Sequence, residues 1–66
     1  MQISVNNQPI QVETNLTLSQ LLPLLNRSSQ GIAIAINQQV IMRSKWEETI
    51  LQEDDSVLII QATCGG

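Results

Sequence analysis

Val57-Leu58-Ile59-Ile60, residues 57–60, is apolar at every position. A strand with one face in water alternates apolar and polar side chains, whereas an unbroken apolar run suits a central strand with both faces at least partly covered. The polar turn Glu53-Asp54-Asp55-Ser56 precedes the run, and only Gln61 to Gly66 follow it. The C-terminal strand therefore belongs in the middle of a sheet, and the earlier segments must be arranged around it.

Met1, Ile3 and Val5 alternate with Gln2 and Ser4, the period of a half-buried strand. Asn6-Asn7 tolerate the left-handed backbone of a tight turn, and Ile10 and Val12 resume the alternation against Gln11 and Glu13. An N-terminal hairpin is expected. Pro9 has no N–H to donate, so its strand belongs at a sheet edge or has its proline at the strand start. From Thr17 the period changes: Leu18, Leu21, Leu22 and Leu25 fall on one helical face, and Thr17 with Gln20 fits a capping box. Pro23 conflicts with a regular helix at a cost of ~3 kcal/mol. Either the helix kinks there or it begins later, capped by Ser19. Asn26 and Arg27 suit its C-terminus, and Ser28 to Gly31 read as a loop.

Ile32, Ile34 and Ile36 share one face of a third strand and leave Ala33 and Ala35 on a shallow opposite face. Asn37-Gln38-Gln39 reads as a turn and Val40-Ile41-Met42 as a short return strand. Ser44 with Glu47 offers a second capping box for a turn or two around Trp46. The order of hairpin, helix, short strands and central final strand, with no repeat or internal linker, is an α+β layout: one helix packed on one mixed sheet. The last strand closes the sheet by lying parallel to the first, through a right-handed crossover that includes the helix.

A chain of 66 residues can make only one domain, close to the lower limit for a self-sufficient core. The supply of Ile, Leu and Val meets that demand, because 42% of the residues are hydrophobic. Trp46 is the only aromatic residue and is read as core. Cys64 is the only cysteine, which excludes an intramolecular disulfide and points to a reducing, cytoplasmic setting. No basic stretch leads into an apolar segment at the N-terminus, and no apolar run reaches the ~20 residues of a bilayer span. A soluble, unexported protein is expected. The net charge of −3, with Arg27, Arg43 and Lys45 as its only cations, gives no footprint for nucleic acid or anionic lipid.

Chemistry-bearing motifs are scarce. The chain has no histidine, no phosphate-binding glycine loop and no Ser-His or Cys-His pair, so autonomous catalysis and a tetrahedral zinc site are not expected. Glu53, Asp54 and Asp55 are read as a solvated turn in preference to a cation site. Attention therefore falls on the end of the chain. After Ile60 the pattern stops, and Gln61-Ala62-Thr63-Cys64-Gly65-Gly66 offers little to bury. The expected organisation is a domain over residues 1–62 and a flexible tail over 63–66. The six residues from Gln61 to Gly66 extend at most roughly 20 Å, at ~3.3–3.6 Å per residue. Gly65 and Gly66 carry no side chain to obstruct a narrow tunnel or attack at the terminal carbonyl.

With these features in place, the chain resembles the ThiS family of sulfur carriers, within the wider ubiquitin-like β-grasp group. The resemblance runs over the full length. Its marks are Met1-Gln2-Ile3, the leucines from Leu18 to Leu25, Ala35-Ile36-Asn37 followed by Val40, the stretch Arg43 to Trp46, and Gly65-Gly66. One departure is Asp54, where the family often has glycine in the turn before the last strand. The resemblance implies a β-grasp fold with a mixed four- to five-stranded sheet on one main helix. It also implies that Gly66 is the working residue, with Gly65 giving access.

A terminal carboxylate, of reference pKa ~3.3–3.7, is ionised at neutral pH and is a poor electrophile. By family analogy, an E1-like (ThiF-like) adenylyltransferase uses ATP and Mg²⁺ to convert the Gly66 carboxylate to an acyl-adenylate. Sulfur from a persulfide, supplied by a cysteine desulfurase or similar donor, then displaces AMP. The resulting thiocarboxylate feeds a thiazole synthase (ThiG-like) in thiamine biosynthesis. No bound cofactor is implied for the carrier itself. Cys64 reads either as an accessory thiol exchanging with the partner persulfide or as an incidental small residue. The shallow face of Ala33 and Ala35 is the expected docking surface. Three other readings stay open: a molybdopterin synthase small subunit, a ubiquitin-like modifier joined to lysines, and a noncovalent binding module that would not need its terminal glycines.

Overall fold

The N-terminal alternation closes into a hairpin, β1 (Gln2–Val5) antiparallel to β2 (Gln8–Gln11), in the computed structural model, which describes residues 1–61. Asn6 (φ 50°) and Asn7 (φ 69°) are both left-handed, the two-residue turn whose twist matches that of the flanking strands. Pro9 lies opposite Ser4, whose N–H is directed to the Asp55 carbonyl on the far side of β1 at 2.9 Å. The pair exchanges no hydrogen bonds, so the missing donor of Pro9 costs the ladder nothing. β2 is an edge strand, as its proline requires.

Helix α1 (Leu18–Leu24) starts where the capping box sets it: Gln20 N–H donates to Thr17 Oγ1 at 3.3 Å, and Thr17 N–H donates to Gln20 Oε1 at 3.0 Å. Ser19 is not the cap. Pro23 neither delays the start nor sits in the first turn, because it occupies the penultimate position on the exposed side. One turn later the helix stops through a Schellman arrangement. Asn26 is left-handed at φ 56°, Asn26 N–H reaches the Pro23 carbonyl, and Arg27 N–H reaches the Leu22 carbonyl, both at 3.0 Å.

Strands β3 (Ile32–Ile36) and β4 (Gln39–Ile41) form a second hairpin around Asn37 (φ 51°) and Gln38 (φ 72°). The turn is therefore two residues long, and Gln39 belongs to the strand. A 3₁₀ helix over Arg43–Glu48 carries Trp46 inward. Its N-cap is Met42, with no side-chain cap bond, so the Ser44–Glu47 capping box expected from the sequence does not form. Strand β5 (Ser56–Gln61) then enters the centre of a five-stranded sheet of order β2-β1-β5-β3-β4. It is parallel to β1 and antiparallel to β3. This is the mixed sheet and single main helix of the β-grasp fold.

The core lies between one sheet face and α1: Ile3, Val5, Ile34, Val57 and Ile59 from the sheet meet Leu18, Leu21 and Leu22, with Trp46 and Leu51 closing the end. Each such side chain contributes roughly 1.5–3 kcal/mol on burial, and a core this small needs all of them. Trp46 is buried and its indole N–H donates to the Ile41 carbonyl at 3.0 Å. Its core placement follows the sequence reading.

The two sheet faces are covered unequally. Val57 and Ile59 are buried, whereas Leu58 is 45% and Ile60 52% exposed, so the second face of the apolar run is covered only in part. One face packs on the helix, and the other carries apolar side chains into water.

Candidate functional site

Three asparagine and aspartate side chains fix the strand that leads to the terminus. The β1–β5 pairing is short, Ser4 with Ser56 and Val5 with Val57, because the first hairpin turns away after Val5. Asn6 Oδ1 accepts from Ile59 N–H at 2.8 Å and so replaces the missing backbone partner. On the other flank, Asn37 Oδ1 accepts from Ser56 N–H at 3.0 Å, while its Nδ2 donates to Asp55 Oδ1 at 3.0 Å. The second oxygen of Asp55 accepts from Gln52 N–H at 2.8 Å. The turn before β5 is thus held by a buried carboxylate, and reading Glu53 to Asp55 as solvated throughout was wrong at Asp55, which is only 9% exposed. Asp54 stands at φ 67°, a conformation that suits glycine. Its N–H bonds the Gln2 carbonyl at 2.7 Å.

Strand β5 runs to Gln61, which pairs with Ile32 at the end of the sheet. Gln61, the last described residue, thus closes the most heavily braced strand. The division between domain and tail, Cys64 with its two alternatives, Gly65 and Gly66 all lie outside the described residues. Ala33 and Ala35 are where the sequence placed them, on the face opposite the helix, paired with Ile60 and Leu58. Val40 lies beside Ala35 on β4 and Met42 follows that strand; they are 72% and 69% exposed. Small alanines in the centre with Leu58, Ile60, Val40 and Met42 around them form an apolar surface beside the departing chain. Sequence reasoning found the alanines and missed the larger residues, because an unbroken apolar run does not say which of its faces is covered.

Among the described residues no group of His, Cys, Asp and Glu is arranged to hold a metal ion. No helix among them is long and apolar enough to cross a membrane. What this geometry offers is a rigid body, an apolar face and a strand that delivers a terminus.

The five-stranded mixed sheet on one helix, with the last strand at its centre, defines a β-grasp domain of the ubiquitin-like kind. The ThiS family model matches residues 2–66. The chain belongs to the ThiS family. It is 39% identical over 66 residues to the sulfur carrier protein ThiS of Escherichia coli (strain K12), covering all of both chains. It is also 32% identical, over its whole length, to a segment making up 20% of a thiazole synthase of Magnetococcus marinus. Among solved structures, the crystal structure of the thiamine biosynthesis protein ThiS from Geobacter metallireducens superposes with a TM-score of 0.86 at 25% identity, with both chains fully covered. A solution structure of a thiamine biosynthesis protein from the same organism gives 0.77, covering all of this chain and 88% of that one.

Proposed function

We propose that this chain is a sulfur carrier of thiamine biosynthesis, bearing its cargo as a thiocarboxylate on Gly66. The observation that carries the reading is the full-length match to the Escherichia coli carrier, with both chains covered to their ends. The chain's own chemistry agrees. Gly65-Gly66 follow the central strand after Ala62, Thr63 and Cys64, and the sequence contains no histidine to serve as a base.

Activation needs an adenylyltransferase of the E1-like class. A Gly66 carboxylate oxygen attacks the α-phosphorus of Mg²⁺-bound ATP, pyrophosphate leaves, and the carbonyl becomes an electrophile. A persulfide sulfur from a desulfurase-type donor then attacks that carbonyl and AMP leaves. A thiol opens the resulting S–S bond, being oxidised as the thiocarboxylate is released. ATP and Mg²⁺ belong to the activating enzyme. The carrier acts as its cosubstrate, in the cytoplasm.

Thiazole synthase is the acceptor in this reading, supported by the thiazole synthase that contains a segment related to the whole of this chain. The apolar face of Ala33, Ala35, Leu58 and Ile60 serves as docking surface, because it lies on the strand pair that ends at the departure of the chain. Cys64 is assigned no step, since the terminal carboxylate suffices for the chemistry. The test is an added residue: a variant extended by one alanine after Gly66 keeps the fold but places a methyl group and a displaced carboxylate at the site of attack. It is expected to lose activation by the adenylyltransferase. Activation of the extended chain without prior trimming would contradict the proposal.

A further inference from the structure

The charge of this molecule is unevenly placed. Its side chains include six carboxylates and three cations. Lys45 is paired with Glu48 at 4.0 Å on the surface. The other two cations, Arg27 and Arg43, make no ion pair among the described residues. Both line one open groove of about 520 Å³ between the C-terminal end of α1 and the 3₁₀ helix. Ser29 and Ser44 contribute hydroxyls to the same groove, and Glu47 is its only carboxylate.

Arg43 is held in place for recognition. Its guanidinium lies over the Trp46 ring at 4.8 Å from the centroid, and Nη1 donates to the Ser29 carbonyl at 2.6 Å. A guanidinium has five N–H donors in a planar fork, so others remain for a carboxylate. Stacking on a buried indole removes much of the side-chain entropy that an exposed arginine loses on binding. Arg27 connects the groove to the chain end, because it also lines the adjoining hollow that contains Gln61, the last residue of β5.

From this we infer that the Arg27–Arg43 groove docks an acidic segment of the enzyme that activates Gly66. The inference rests on the proposed carrier function and adds a second contact, electrostatic, on a different surface from the apolar sheet face. A cationic ledge on an otherwise acidic domain orients the approach. Its carboxylate partners favour this side of the molecule, because the other side-chain charges are carboxylates apart from Lys45, which is paired with Glu48.

The test is steady-state adenylation by the E1-like enzyme with ATP and Mg²⁺, varying carrier concentration. Arg27→Glu, which alters no side-chain packing in the core, is expected to raise KM for the carrier about tenfold with little change in kcat. Arg27→Gln is expected to give a smaller rise and Arg27→Lys to stay within about twofold of the parent. Raising ionic strength from about 0.01 M to about 0.15 M shortens the screening length from about 30 Å to about 8 Å. The parent KM should climb across that range, and that of Arg27→Glu should not. Circular dichroism and a thermal melt confirm that each variant is folded. A parent that is adenylated normally while Arg27→Glu matches its KM overturns the docking inference alone. So does a parent KM indifferent to salt. A parent that is never adenylated overturns the carrier reading and this inference with it.

Discussion

Single residues carry much of the precision at the strand that leads to the terminus. Asn6, Asn37 and Asp55 each serve a turn and a strand together, since their side chains bond backbone groups that the sheet leaves unpaired. The turn positions of the asparagines were legible from their tolerance of the left-handed region; their second role was not, because it depends on partners up to 53 residues away. Asp54 is the residue that fits least well. A left-handed conformation costs an ordinary L-residue roughly 1–2 kcal/mol, though aspartate less than most, and glycine none of it. Asp54→Gly is therefore expected to raise the unfolding free energy by about 0.5–1 kcal/mol, offset in part by greater freedom in the unfolded chain. Asp54→Val should lower it by about 1–2 kcal/mol. Chemical denaturation of the three proteins checks both, and a stabilising valine would refute the backbone argument.

At the scale of elements, the sequence was most informative where a local pattern had a single structural answer. Alternation with Asn6-Asn7 gave the first hairpin, and Thr17 with Gln20 gave the start of α1. Of the two readings of Pro23 the later start is overturned: the capping box at Thr17 sets the start, near the end of the helix the lost bond concerns only the last turn, and Asn26 terminates the helix just beyond. Ser44 and Glu47 had the right spacing for a cap, but a 3₁₀ helix anchored by Trp46 overrode it. Strand β5 shows the limit most clearly. Val57-Leu58-Ile59-Ile60 reads as a central strand with both faces at least partly covered, and does not say which alternate residues are buried and which half-exposed. The consequence can be measured. Leu58→Glu should change stability by less than about 1 kcal/mol, because the side chain already faces water, while impairing sulfur transfer to thiazole synthase. Ile59→Glu buries an unpaired charge and should unfold the domain. Equal stability losses for the two would show that the sheet has no free face.

On the scale of the whole molecule, the fold places one strand in the middle of everything. β5 is flanked by β1 and β3, backed by α1, and followed within a few residues by Gly66. Two surfaces adjoin the end of that strand: the apolar sheet face and the cationic groove. The glycine ending is legible in the sequence itself, and the chemistry proposed for it needs only a carboxylate and an unobstructed approach. The alanines of the apolar face were legible too; its larger residues and the cationic groove were not, because they are assembled from residues distant in the chain: Ala33 with Ile60 in one case, Arg27 with Arg43 in the other.

The central claim is that Gly66 accepts a sulfur atom. Intact mass spectrometry after incubation with ATP, Mg²⁺, an E1-like adenylyltransferase, a persulfide donor and a thiol reductant tests it directly. The account requires a mass gain equal to exchange of one oxygen for sulfur, confined by fragmentation to the terminal glycine and removed by transfer to thiazole synthase. An unchanged mass under conditions that charge an authentic sulfur carrier, or a sulfur found on Cys64 in place of Gly66, would contradict it.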